Sequence, residues 1–181
     1  NLTASLSTPM LDAVALNPGP TLTYLTGQQF HLMERPVVLF IAPGKVPALV
    51  LPELEALKAE RFPYKVQAFT YGENPSEWGD AFRKAVLALD LDGKQIGVEF
   101  RQLRLLEFDY LIASANNGDF PDASEALIRL RLRKDKAEVD AMRRASDLVV
   151  KGVSGRGTQT TDRYSLKGVS QALDRVGQEC R

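Results

Sequence analysis

Along this chain the apolar residues gather in short runs closed by proline and glycine, and between the runs they recur every three or four positions. A short bounded run predicts a strand, and the wider spacing predicts one face of a helix. Val37–Ala42 lies between Pro36 and Pro43-Gly44. It predicts a strand buried on both faces. Ala48–Leu51 predicts a second strand, with Pro43-Gly44-Lys45 as the turn between them, and Val66–Tyr71 predicts a third. Ala13–Leu16 predicts an earlier one, and Leu22–Thr26, rich in strand formers and closed by Gly27, another in which Tyr24 packs into the core. Gln95–Glu99, entered through Asp92-Gly93, completes the set.

Helices fill the gaps. Pro52 can open one through Glu60, since proline is tolerated at the first helical position. Asn74-Pro75-Ser76-Glu77 is a helix start, and Trp78, Phe82, Val86 and Leu89 then share one face. Leu103–Ala115 predicts a helix with Leu106, Tyr110 and Ala113 on its apolar side. Phe120–Ala123 is a short extended piece. Asp122 with Glu125, and Asp135 with Glu138, have the spacing of capping boxes, for helices over 123–132 and 135–150. Asp140 and Arg144 form an i,i+4 pair in the second. Strands alternating with helices predict an α/β fold, with a mixed sheet because of the early hairpin.

The 151–181 segment is different. It is rich in glycine and poor in large apolar residues, and only Val169, Leu173 and Val176 suggest a short amphipathic helix. The expectation is a short irregular tail, much of it loosely docked or disordered.

Composition narrows the function. The chain has 181 residues, 44% hydrophobic and 25% charged, which suits one soluble domain plus a tail. Its 23 basic and 23 acidic side chains cancel, which argues against a nucleic-acid partner. The basic cluster Arg129, Arg131, Arg133 and Lys134 reads as a solvated helix side. A single cysteine, Cys180, permits no internal disulfide and no cysteine-based zinc site, which fits a cytoplasmic protein. No apolar run reaches the ~20 residues of a membrane helix, and 1–10 show no signal-peptide pattern.

Candidate chemistry is sparse. His31 is the one histidine, so every two-histidine metal motif is excluded. Gly155-Arg156-Gly157 lacks the rest of a dinucleotide fingerprint. Glu53/Glu55 and Asp90/Asp92 read as solubilising charges. From these residues alone the expectation is an α/β domain with no catalytic residue, no metal ligand and no cofactor.

Several strings together resemble one family. Leu11–Leu16 resembles its first strand, and Asn17 followed by Tyr24-Leu25-Thr26-Gly27 its "N…YLTG" segment. His31 with Glu34-Arg35-Pro36 resembles the "H…ERP" variant of prolidase-like members, and Val50–Glu55 resembles "lvvP.lE". Leu130–Ala145 resembles the "lR.iKs..Ei..mr.A" linker between two domains. The family is the creatinase/aminopeptidase P/prolidase group of M24-type metallopeptidases. The resemblance implies a non-catalytic N-terminal domain over 1–134, a mixed sheet flanked by helices, and an interdomain linker helix over 135–150. It implies an atypical tail over 151–181 where the catalytic domain of an Xaa-Pro peptidase is expected, through truncation or a frameshift. That absent domain would carry two Asp, one His and two Glu around a pair of divalent metals. Alone, the chain is expected to be inactive. The resemblance further implies a role in dimerisation, and makes His31 a candidate substrate-rim residue acting on the partner subunit's site. Proline-containing peptides are expected as partners only with a catalytic domain supplied. A stand-alone interaction module, or an α/β domain with its own small ligand, are the alternatives.

Overall fold

A computed structural model of the chain describes residues 11–132, 134–153 and 158–179. Arg133, Gly155-Arg156-Gly157, Cys180 and the first ten residues lie outside the described set. The chain divides into two compact units, one ending at Leu132 and one beginning at Arg133.

In the first unit, strands β1 (Ala13–Leu16), β2 (Val38–Ile41), β3 (Ala48–Pro52), β4 (Gln67–Tyr71) and β5 (Ile96–Val98) form a mixed sheet. Their order is β4-β3-β2-β1-β5. β2 is antiparallel to both β1 and β3, while β1/β5 and β3/β4 are parallel pairs. The turn between β2 and β3 places Gly44 at φ +74°, a left-handed conformation that glycine adopts without a Cβ penalty. Beyond β5, the extended piece predicted at 120–123 covers the sheet edge. The Ile96 and Val98 amides donate to Asp119 and Pro121 carbonyls at 2.8 and 3.0 Å.

The side-chain alternation of the strands divides the core between the two faces of the sheet. Ala13, Ala15, Val38, Phe40 and Val50 face helices α2 (Trp78–Ala88) and α3 (Leu105–Ser114). Val14, Leu16, Leu39, Leu49 and Leu51 face the other way, against Leu22 of helix α1 (Pro20–Thr26), Phe62 and Leu127 of helix α4 (Ser124–Leu132). The small residues on the first face leave room for Phe40 and Phe82, which meet edge-on at 6.4 Å. Gly97 is forced by packing. A Cβ there would lie 2.6 Å from Leu11 Cδ1 and 2.8 Å from the Ala123 Cβ.

The predicted face of α2 is the buried one: Trp78, Phe82 and Val86 are covered, as is Leu89 just after it. Asn74 caps the preceding 3₁₀ turn, its Oδ1 accepting from the Ser76 amide at 3.2 Å. The segment after Pro52 is a 3₁₀ helix, Glu53–Arg61. Three expectations for this unit need correction. Residues 22–26 form a helix, not a strand, and Tyr24 is 42% exposed instead of packed. Pro20 in the first turn and left-handed Gly27 after the last bracket that helix, and Leu22 and Thr26, four apart, turn inward together. On α3 the covered face is Glu107, Leu111 and Ser114, rotated from the predicted one because a buried carboxylate occupies a core-facing position. At Asp122 the side chain accepts from the Ser124 amide at 2.9 Å, an Asx-type turn instead of a capping box.

In the second unit, helix α5 (Lys136–Arg144) starts with the predicted capping box of Asp135 and Glu138. It ends at Arg144, short of the expected 150, and Lys136, not Arg144, pairs with Asp140, at 2.7 Å. The β-branched run then takes over as strand β6 (Asp147–Val153), antiparallel to β7 (Gln159–Ser165). Helix α6 (Val169–Glu179) follows where Val169, Leu173 and Val176 predicted it. Arg143 of α5 meets Asp174 of α6 at 2.7 Å. The segment expected to be irregular thus carries a hairpin and a helix, because paired strands satisfy their backbone groups without needing a core. None of its described residues is buried.

Candidate functional site

Strand direction brings five strand ends, and the four connections they open, to one end of the sheet. The registers Leu16↔Leu39, Val38↔Val50, Pro52↔Tyr71 and Ala15↔Val98 fix this. The segments after β1, β3, β4 and β5, and the one entering β2, all emerge there. Open α/β sheets place their ligand crevices outside the carboxyl ends of strands.

The segment entering β2, residues 28–36, carries His31. Its ends are anchored. Phe30 is buried and meets Phe62 edge-on at 6.4 Å, while Lys58 Nζ lies 4.8 Å from the Phe30 ring centre and donates to the Gln29 carbonyl at 3.1 Å. At the other end, the Tyr71 hydroxyl donates to the Pro36 carbonyl at 2.6 Å, and Arg35 pairs with Glu73. Burial pushes the Tyr71 phenol well above its ordinary range, with the nearby Arg35 cation opposing and the Glu107 carboxylate reinforcing the shift. Between the anchors, His31, Leu32 and Met33 are exposed, and the Met33 amide closes a tight turn onto the His31 carbonyl at 3.0 Å. Phe100 and Leu105, from the segment after β5, are exposed as well.

Beside this segment stands a buried ion pair. Arg104 Nε donates to both Glu107 carboxylate oxygens, at 3.1 and 3.0 Å. Nη2 also donates to Glu107 Oε1, and Nη1 to the Met33 carbonyl. The Glu107 side chain has no exposed surface. Its hydrogen bond holds the Arg104 guanidinium above its usual pKa. Deeper at the same end, Thr21 donates to Glu99 Oε1 at 2.6 Å, and the second Glu99 oxygen and both polar atoms of the Asn17 amide are buried without a protein partner.

The described residues offer no ligand set for a two-metal hydrolytic centre. Among the described residues no three His, Cys, Asp or Glu side chains gather closely enough to hold a metal, and the single histidine lies on an exposed turn. Glu55 of the Glu53/Glu55 pair salt-bridges Lys58 at 2.6 Å. Sequence reasoning singled out His31 but missed Arg104 and Glu107. Their i,i+3 spacing was visible, but the tie to Met33 spans 71 residues.

The family Creatinase/Prolidase N-terminal domain matches residues 1–133. The chain belongs to this family. A second description, Invasion associated locus B (IalB) protein, matches residues 129–177, a smaller part of the chain. The chain is similar to the putative dipeptidase YkvY of Bacillus subtilis (strain 168), 28% identical over 130 residues, covering 72% of this chain and 36% of that protein. It thus spans about a third of the length of that curated relative. Its fold is similar to a proline dipeptidase structure from Streptococcus pneumoniae TIGR4, at TM-score 0.61 and 28% identity over 74% of this chain and 96% of that one. A dipeptidase from Pyrococcus horikoshii OT3 is similar at TM-score 0.64 and 25% identity, over 80% of this chain and 39% of that one. Among the described residues no helix is long and apolar enough to cross a membrane.

Proposed function

We propose that the first unit is the non-catalytic N-terminal domain of a cytoplasmic Xaa-Pro peptidase of the M24 type. In a full-length dimeric enzyme it contributes to dimerisation and supplies His31 to the rim of the partner subunit's substrate site. The observation that carries this reading is the placement of His31: exposed, on a segment anchored at both ends, in a chain of this family. The exposed Leu32, Met33, Phe100 and Leu105 around the same end supply apolar surface for a neighbouring subunit to cover. Peptide hydrolysis and its metal pair belong to a catalytic domain elsewhere, and this chain alone cleaves nothing.

The test is a chimera in which residues 11–132 replace the matching domain of the Pyrococcus horikoshii dipeptidase. His31→Ala in that chimera is expected to raise KM for an Xaa-Pro dipeptide about tenfold, or about 1.4 kcal/mol. Unchanged KM and kcat would remove His31 from the rim. The chain by itself, assayed with manganese or cobalt, is expected to release no proline, and its sedimentation mass is expected to rise with concentration.

A further inference from the structure

We propose that Arg104 is a positioning residue that sets where His31, Leu32 and Met33 stand. The segment 28–36 is fixed at its ends by Phe30, Lys58, Tyr71 and Arg35, through contacts that do not involve Arg104. Between those anchors, among the described residues, the hydrogen bond reaching in from another element is the one from Arg104 Nη1 to the Met33 carbonyl.

The geometry needs the guanidinium fork. Nε and Nη2 are taken by Glu107, and Nη1, on the other arm, is left for Met33. Arginine presents rigid, divergent donors, whereas a lysine ammonium is a single point charge that can neutralise a carboxylate without also holding a fixed second acceptor. Glu107 sets the orientation of the fork. Its carboxylate is buried on α3, so its pairing with Arg104 is nearly obligatory, and α3 is rigidly packed on the sheet. Arg104 itself is partly exposed at the N-cap position just before that helix. Backbone position is therefore relayed from a packed helix, through a buried ion pair, to a solvent-facing turn. The functional weight of this clamp rests on the reading of His31 as a rim residue; the clamp does not.

Two variants of the full chain test it. Arg104→Lys keeps the charge pair but not the fork. Arg104→Met combined with Glu107→Leu removes both charges and leaves no orphan. Because His31 is the single histidine, its imidazole Hε1 gives one proton NMR signal to follow, and the single tryptophan, Trp78, buried in the core, reports separately on the fold. In both variants the urea midpoint read by Trp78 fluorescence is expected to persist. The Met33 amide is expected to exchange at least tenfold faster, and the His31 signal to move toward that of a free histidine peptide. A folded variant with unchanged exchange and an unchanged His31 signal would overturn the proposal. So would loss of the fold in both, since Arg104 would then stabilise the core instead of placing a turn. Failure of the chimera's KM test leaves these readouts untouched, so the two ideas fail separately.

Discussion

Residues 11–132 and the described residues between 134 and 179 both form helices and strands, but only the first set covers them. In the first unit each central strand is buried on both faces, and Phe40, Phe82, Leu39 and Leu49 have no exposed surface. In the second, β6 and β7 pair along seven residues each while Leu148, Val149, Val150 and Tyr164 remain 42–55% exposed. Backbone hydrogen bonds alone contribute little net stability, because water offers the same bonds to the unfolded chain. The difference teaches that a ladder can be regular without being held: packing stabilises the first unit, and pairing and a capping box shape the second.

The largest expected effect lies in the doubly covered sheet. Phe82→Ala should cost ~3–5 kcal/mol, through lost transfer energy plus a cavity, read as a lower urea midpoint by Trp78 fluorescence. A cost below about 1 kcal/mol would mean that the core collapses freely around the site and that the two units differ less than their burial implies.

Tyr71→Phe should cost about 1 kcal/mol near neutral pH, for the hydrogen bond to the Pro36 carbonyl. It should also change the alkaline limb. The native phenol is held protonated above its ordinary value of 10.0, so the unfolded chain releases that proton first. Stability is then fully present below about pH 10 and declines above it as the unfolded state ionises. Tyr71→Phe removes that part of the decline, which urea titrations across the alkaline range would reveal. An identical slope in both proteins would show that Tyr71 is not the group responsible.

The smallest effect belongs to the second unit. Leu148→Ser should change the opening free energy of β6, read by amide hydrogen exchange, by no more than about 0.5 kcal/mol, because an exposed side chain has little burial to lose. A large loss would mean that something covers this hairpin face in solution.

Much of the first unit is legible in the sequence because its signals are local. The runs at Val37–Ala42 and Ala48–Leu51 are bounded by turn residues, and the Trp78/Phe82/Val86/Leu89 spacing selects one helix face. Residues 22–26 misled because Thr and Tyr favour strands, yet Pro20 and Gly27 already bracketed a short helix. Past Arg144 the reverse happened: a genuine cap at Asp135 encouraged a long helix through a Leu-Val-Val run that prefers to be extended. The turn bearing His31 could be read from its neighbours Gly27 and Pro36. The clamp could not, because a glutamate at a core-facing position breaks the apolar pattern, and its reason appears only when Arg104 and Met33 are brought together by the fold.

The strand order has a consequence for how the chain is made. β2 joins β3 through a tight turn, and β1 through β4 lie beside their sequence neighbours, so four strands can assemble once residue 71 has emerged from the ribosome. β5 is the exception, pairing Ala13 with Ile96 across more than eighty residues. Until residue 98 has emerged as well, the β1 edge stays open, and an open strand edge recruits whatever strand is nearest. Slowing translation while residues 72–95 are emerging should therefore increase co-aggregation of nascent chains, and slowing it once residue 123 has emerged should not.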